Sequence, residues 1–210
     1  MAAPNPRPPA LHDRALDDLS FIRRTMEGAA SFTDVPGWGL VVTGGIAVAA
    51  AFIADQQPTA ERWLATWITA AVVASLAGSV AMLRKMRHRV GTDGNVVLSV
   101  PARKFLLNFW PAILAGALLT LALVDPFTPG IASHLTTRVF PGLWLLLYGV
   151  AVTTAGAFSV RPVPLMGLCF MVFSLLALFV PALDGDLMMA LGFGGLQIAF
   201  GVVIARRHGG

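Results

Sequence analysis

Six stretches of the chain are apolar and free of Asp, Glu, Lys, Arg and His. They run from about Gly37 to Ala54, Trp63 to Leu83, Phe105 to Val124, Phe140 to Phe158, Val163 to Val180 and Leu187 to Ile204. Eighteen helical residues rise about 27 Å, which matches a hydrocarbon core of ordinary or slightly reduced thickness. Open strands leave backbone groups unsatisfied in lipid, so the pattern predicts helices. The fold class read from it is all-α, a polytopic transmembrane bundle of six spans. Ahead of the first span, Ala15, Leu19, Ile22, Met26 and Ala29 recur at spacings of 4, 3, 4 and 3, while Asp17, Asp18, Arg24 and Glu27 fall largely off that stripe. This is one face of an amphipathic helix, with Asp13 placed to cap it after Pro8 and Pro9. Residues 1–10 are expected to be disordered, and 11–35 to form a cytoplasmic or interfacial helix and joint. That helix can lie in the interface, dock on the cytoplasmic ends of the spans, or pair with a partner helix.

The connections between spans settle the expected threading. Arg7, Arg14, Arg23, Arg24, Arg84, Lys85, Arg87, Arg89, Arg103, Lys104, Arg161, Arg206 and Arg207 fall on one side, and only Arg62 and Arg138 on the other. Orientation follows this Lys/Arg bias, so both termini, including the tail 205–210, are expected in the cytoplasm. The longest cytoplasmic connection, RKMRHRVGTDGNVVLSVPARK, carries an Asp93-Gly94 turn signal before β-prone residues, the pattern of a small hairpin. PFTPGIASHLTTRVF, on the opposite side, has room for a short surface helix.

Composition agrees. The chain is 56% hydrophobic and 12% charged, against about 25% charged in soluble domains. The net charge of +4 is not a nucleic-acid signal, because the cations flank apolar spans. There Arg84, Lys85, Arg87, Arg89, Arg103 and Lys104 would meet anionic lipid headgroups or a partner. The lone Cys169 lies inside an apolar run and reads as a small hydrophobe. The Pro-rich start lacks the apolar core of a cleaved signal peptide, so the first apolar stretch is expected to be retained as a span.

Candidate chemistry is sparse. His12, His88, His134 and His208 are scattered without metal-ligand spacing, and no hydrolase, zincin or phosphate-loop motif occurs. GFGGLQ, at 192–197, lacks the last glycine of a dinucleotide fingerprint. No cofactor, metal or catalytic residue is predicted, and no enzymatic activity. What the spans do carry is small residues in register: Ala190, Gly194, Gln197 and Gly201; Gly142, Gly149, Thr153 and Gly156; Ala71, Ser75 and Ser79. Such faces let helices approach within or between chains, or leave room for a cavity. Tyr148, Thr153, Thr154 and Gln197 are the polar residues that would line such a cavity or bond across helices.

The joint SFTDVPGWG, residues 31–39, raises its own expectations. Thr33 or Asp34 can cap the first span, with Pro36 in its first turn, Gly37 and Gly39 allowing close approach and Trp38 anchoring at the interface. PGWGLVVTGGIAVAAAFIA, from Pro36, also lies without gaps over PGLWLLLYGVAVTTAGAFS, from Pro141, keeping a glycine spacing of seven. First and fourth spans in that relation are the pattern of an inverted 3+3 repeat. The same identities also arise by composition in Gly-, Ala- and Leu-rich helices, and the second and fifth spans do not align.

IRRTMEGAASFTDVPGWG before the first span and GFGGLQIAFGVVIARRHGG at the end together resemble an uncharacterised group of bacterial six-span integral membrane proteins. The resemblance covers both ends of the chain. It implies the bacterial inner membrane and brings no activity. Two readings of function lead, ahead of an enzyme acting on lipid at the cytoplasmic interface, for which His88 and Asp93 are the only nearby titratable groups of interest. The first is a non-enzymatic binding or regulatory protein engaging a partner protein or lipid. The alternative is a permease or channel for a small neutral solute, built on the inverted repeat.

Overall fold

A computed structural model describes residues 16, 18–22, 26, 35–89, 100–124 and 135–208. The chain divides into two units, Met1–Ser31 and Phe32–Gly210. In the first, residues 16, 18–22 and 26 are helical, and Leu19, Ile22 and Met26 of the expected stripe are exposed. Asp13, Thr33 and Asp34, and with them the expected caps, lie outside the described residues.

The second unit begins with α1, Gly37–Ala54, whose limits agree with the hydrophobic pattern. Pro36 is not in its first turn, as the sequence suggests, but is the residue before it, with extended backbone angles of φ −78° and ψ 108°. A proline carbonyl can still close the first helical turn, and Leu40 N–H donates to it at 3.0 Å. Helices α2, Ala60–Arg89, and α3, Val100–Leu123, both overrun the apolar pattern on the side of the basic residues. Arg84, Lys85, Arg87, Arg89, Arg103 and Lys104 therefore sit on helical ends and not in a loop. Lys, Arg and Met are good helix formers, so nothing stops the helix where hydrophobicity stops. The Asp93-Gly94 turn and the residues after it, to Ser99, fall outside the described residues.

A π-helical stretch, Leu135–Val139, leads directly into α4, Phe140–Gly156. Helix α5, Pro162–Phe179, also starts with proline in its first turn, where the missing N–H costs least. The last helical run joins α6, Gly185–Met189, a π-helical stretch Ala190–Leu196 and α7, Gln197–His208. Asp184 caps it, its side chain accepting from Leu187 N–H at 3.0 Å. The run starts two residues before Leu187, which brings Asp186 into a helix that the hydrophobic pattern alone treats as uncharged.

Among the described residues, five helical segments are long and apolar enough to cross a membrane: Gly37–Ala54, Ala60–Lys85, Ala102–Leu123, Pro162–Phe179 and Gly185–Arg207. The expected fourth span, Phe140–Gly156, is apolar but shorter, at 17 residues. It packs along α5 and against α3, while α1 lies between α2 and the last run. The core is closed by Phe140, Leu145, Met166, Phe170, Met189 and Ile204, all essentially buried.

Two seams have backbones in near contact. A Cβ on Gly149 would lie 2.8 Å from the Gly167 carbonyl oxygen, and one on Gly201 would lie 2.8 Å from that of Gly37. Only glycine fits these crossings. Gly37 and Gly44 both meet the last run, whereas their sequence counterparts Gly142 and Gly149 meet Leu178, Gly167 and Met171 of α5. In an inverted repeat the second pair would face α3. The two echoing segments share a use for glycine but not equivalent neighbours.

Candidate functional site

The polar groups of the apolar helices gather at two levels. At mid-depth, Gln197 begins α7 immediately after the π-helical stretch and is only 5% exposed. Widened helical turns of this kind re-aim side chains and recur at functional positions. Gln197 Nε2 and the Tyr148 hydroxyl are 3.3 Å apart, and Gln197 Oε1 lies against Thr43 Oγ1 of α1. Thr43 Oγ1 is also 3.0 Å from the Leu40 carbonyl oxygen.

A threonine hydroxyl has one proton, and a carbonyl can only accept. The amide orientation that satisfies every group has Tyr148 donating to the amide oxygen, the amide N–H donating to Thr43, and Thr43 donating to Leu40. This chain links α4, α7 and α1. Around Tyr148 stand Phe109 of α3, Phe170 of α5 and Phe193, with ring centroids at 6.0, 4.8 and 5.1 Å in edge-to-face arrangements. The one tyrosine of the chain thus joins most of the helices at a single point.

The four residues expected to line a cavity or bond across helices occupy three settings. Tyr148 and Gln197 meet. Thr153 Oγ1 donates to the Gly149 carbonyl at 2.8 Å and sits against Gly167 at the α4–α5 seam. Thr154 is exposed, donates to the Val150 carbonyl at 2.9 Å, and approaches the Asn108 carbonyl of α3 at 3.2 Å. Ser174, fully buried, donates to the Gly142 carbonyl at 2.8 Å and adds a polar tie between α5 and α4.

The second level lies at the end of the bundle that carries the turns after α1 and α5. Trp63 and Trp67, 6% and 4% exposed, send both indole N–H groups to Asp186. Trp63 Nε1 is 2.8 Å from Oδ1 and 3.0 Å from Oδ2, and Trp67 Nε1 is 2.9 Å from Oδ1. Trp63 stacks on Trp144 at 5.9 Å, and Trp144 stacks on Phe140 at 5.5 Å. Trp144 donates to Thr120 of α3 at 2.8 Å, and Thr120 donates on to the Gly116 carbonyl.

The sequence reading leaves these residues unassigned. Trp63 and Trp67 are one helical turn apart on one face, and Asp186 stands beside a capping Asp184. Those signals are present in the sequence but point to each other only once the turns bring the helix ends together.

At the opposite end, Lys85 Nζ donates to the Val35 carbonyl at 3.0 Å, tying α2 to the joint before α1. A Cβ on Gly39 would sit 2.8 Å from that of Ala81, so this glycine seats α1 on α2. Trp38 is 58% exposed, and Arg84 and Arg103 are exposed. Lys104 lies 5.8 Å above the Phe158 ring. The side chains of Arg87 and Arg89 lie outside the description.

A shallow apolar groove of about 300 Å³ runs over Ile68, Ala71, Val72, Ser75 and Leu76 on the outer surface of α2. Among the described residues, no group of three or more His, Cys, Asp or Glu is placed to hold a metal ion. Compared with protein-family models, curated proteins and solved structures, the chain matches none.

Proposed function

We propose that this chain is a six-span protein of the bacterial inner membrane with both termini in the cytoplasm. It acts as a non-enzymatic binding protein whose helix α2 engages a partner protein within the bilayer. Thirteen Lys/Arg against two support the orientation. The 17 residues of Phe140–Gly156 reach the lower end of the roughly 17–25 residues a span needs.

The observation that carries the binding reading is where α2 puts its small residues. Ala71, Ser75 and Ser79 are exposed on the outer face, over the groove, while the matching stripes of α4 and the last run are used internally. Neither Ser75 nor Ser79 has a side-chain hydrogen bond among the described residues. Small residues and hydroxyls on a lipid-facing surface are the means by which helices associate in membranes. Exposed Arg84 and Arg103 would meet anionic headgroups at the cytoplasmic boundary, and an N-terminal amphipathic helix suits a membrane interface.

Permeation has less support. Gln197, the polar centre of the bundle, is buried and has Thr43 and Tyr148 as partners, which leaves little of its amide for a solute.

The test is affinity purification from native membranes of the full chain and of a variant with Ala71, Ser75 and Ser79 changed to leucine. The expected outcome is a co-purifying membrane protein lost in the variant, with helix content unchanged. A second variant lacking residues 1–30 separates a cytoplasmic contact from one in the bilayer. The same partner recovered in full with the triple-leucine variant contradicts the reading.

A further inference from the structure

Helix α2 is held to the bundle asymmetrically. Along most of its length it leans on α1, but at its first two turns Trp63 and Trp67 reach across to the last helical run. Their single common acceptor is the Asp186 carboxylate. Among the described residues no Lys, Arg or His pairs with it. Of the charged groups near this end, Asp184 on its own run and Asp55 after α1 act on it with like charge. Glu61 and Arg62 on α2 are exposed, and Arg138 ahead of α4 is half-buried.

Among the described residues, the half-buried Asp186 carboxylate is met by indole N–H groups alone. We infer that Asp186 is a protonation-controlled latch for the first turns of α2. Ionised, it accepts from both tryptophans with charge-assisted bonds, roughly twice as strong as neutral ones. Protonated, it loses that assistance, and the proton on one oxygen faces an N–H that also needs an acceptor. The first turns of α2 are then held chiefly by α1, and the Trp63–Trp144 stack that links them to α4 and to Thr120 loosens with them. Acid on this side of the protein therefore weakens the network that joins α2, α3, α4 and the last run. The inference stands on this geometry and does not depend on a partner for α2.

The test uses the full chain purified in lipid nanodiscs, with Trp38 and Trp110 changed to phenylalanine so that Trp63, Trp67 and Trp144 are the only reporters. Acrylamide quenching is followed between about pH 4 and pH 8. Acidification is expected to raise quencher access in the parent. Asp186→Asn is expected to show the raised access at every pH, with helix content unchanged. Should that variant fail to fold, Trp67→Phe keeps a ring in place but removes one donor to the ionised acid, and it is expected to move the transition to higher pH. Asp55→Asn is expected to keep the transition. Quenching independent of pH in the parent, an equal acid response in Asp186→Asn, an unmoved midpoint in Trp67→Phe, or loss of the response in Asp55→Asn would each overturn the latch.

Discussion

Helix α2 and the last helical run are equally good apolar segments, yet the protein treats them differently. Mean hydropathy over their best windows is 1.7 and 2.0, but only 6% of the α2 window is buried against 39% for the last run. Helix α3 resembles α2, with 11% buried, and α1 resembles the last run, with 44%. Hydrophobicity brings all of them to the bilayer and decides nothing about which packs inside. Packing is decided by backbone approach. Where glycine faces glycine, as at Gly37–Gly201 and Gly149–Gly167, the helices close and bury their faces. Where the small residues are Ala71, Ser75 and Ser79, α2 leaves them outward. An inner set of tightly crossed helices is thus flanked by two that present apolar faces to their surroundings.

The contrast can be broken most forcefully at the glycine seams. Gly149→Leu pushes a side chain against the Gly167 carbonyl and Met171, atoms that cannot yield without separating α4 from α5. The expected loss is about 3 kcal/mol, the upper end for overpacking, measured by unfolding in mixed micelles. Ser75→Leu, an equal increase in size on α2, is expected to change stability by less than about 0.5 kcal/mol. Equal losses at the two positions would dissolve the distinction between inner and flanking helices.

A smaller effect is expected at the mid-depth chain. Gln197→Leu removes hydrogen bonds across helices and should cost about 1 kcal/mol, the scale found for such bonds in lipid. Tyr148→Phe should cost about the same or less, and the double variant little more than Gln197→Leu alone, because both act on one bond. Full additivity would show that Tyr148 and Gln197 are not coupled.

Trp144→Phe keeps the stack with Trp63 and Phe140 but loses the bond to Thr120. About 1 kcal/mol is expected, with Phe140 and Trp63 still in contact. The smallest effect is expected at Lys104→Ala, whose place over Phe158 is worth about 0.5 kcal/mol at an exposed site.

How much of this was legible in the sequence varies with the physics involved. The apolar runs located the long apolar helices described in the second unit, because burial in lipid demands length and composition alone. The limits of α1 were readable to the residue, since Pro36 and the Asp55–Pro58 turn bracket it. The ends of α2 and α3 were not, because basic residues mark the expected edge of the hydrocarbon and not the end of a helix. Tyr148 and Gln197 were readable as a mid-depth pair from their position along the spans. Thr153 and Thr154 do not join that pair, since neighbouring residues on a helix point about 100° apart; Thr153 lies at the α4–α5 seam and Thr154 reaches the Asn108 carbonyl of α3. The Asp186 network was invisible for a different reason. Its members lie more than a hundred residues apart, and no local pattern records that two indoles and a carboxylate converge. The likeness of PGWG to PGLW was readable, but the non-equivalent neighbours of the two glycine pairs required the packing itself.

The central claim is that the outward face of α2 is a binding surface. It is tested most directly by placing a photo-crosslinking residue in native membranes at Ser75 and, separately, at Leu121 on the exposed face of α3. The account predicts a defined protein adduct from Ser75, lost when Ala71 and Ser79 are changed to leucine, and lipid adducts alone from Leu121. Lipid adducts alone from both positions would contradict it.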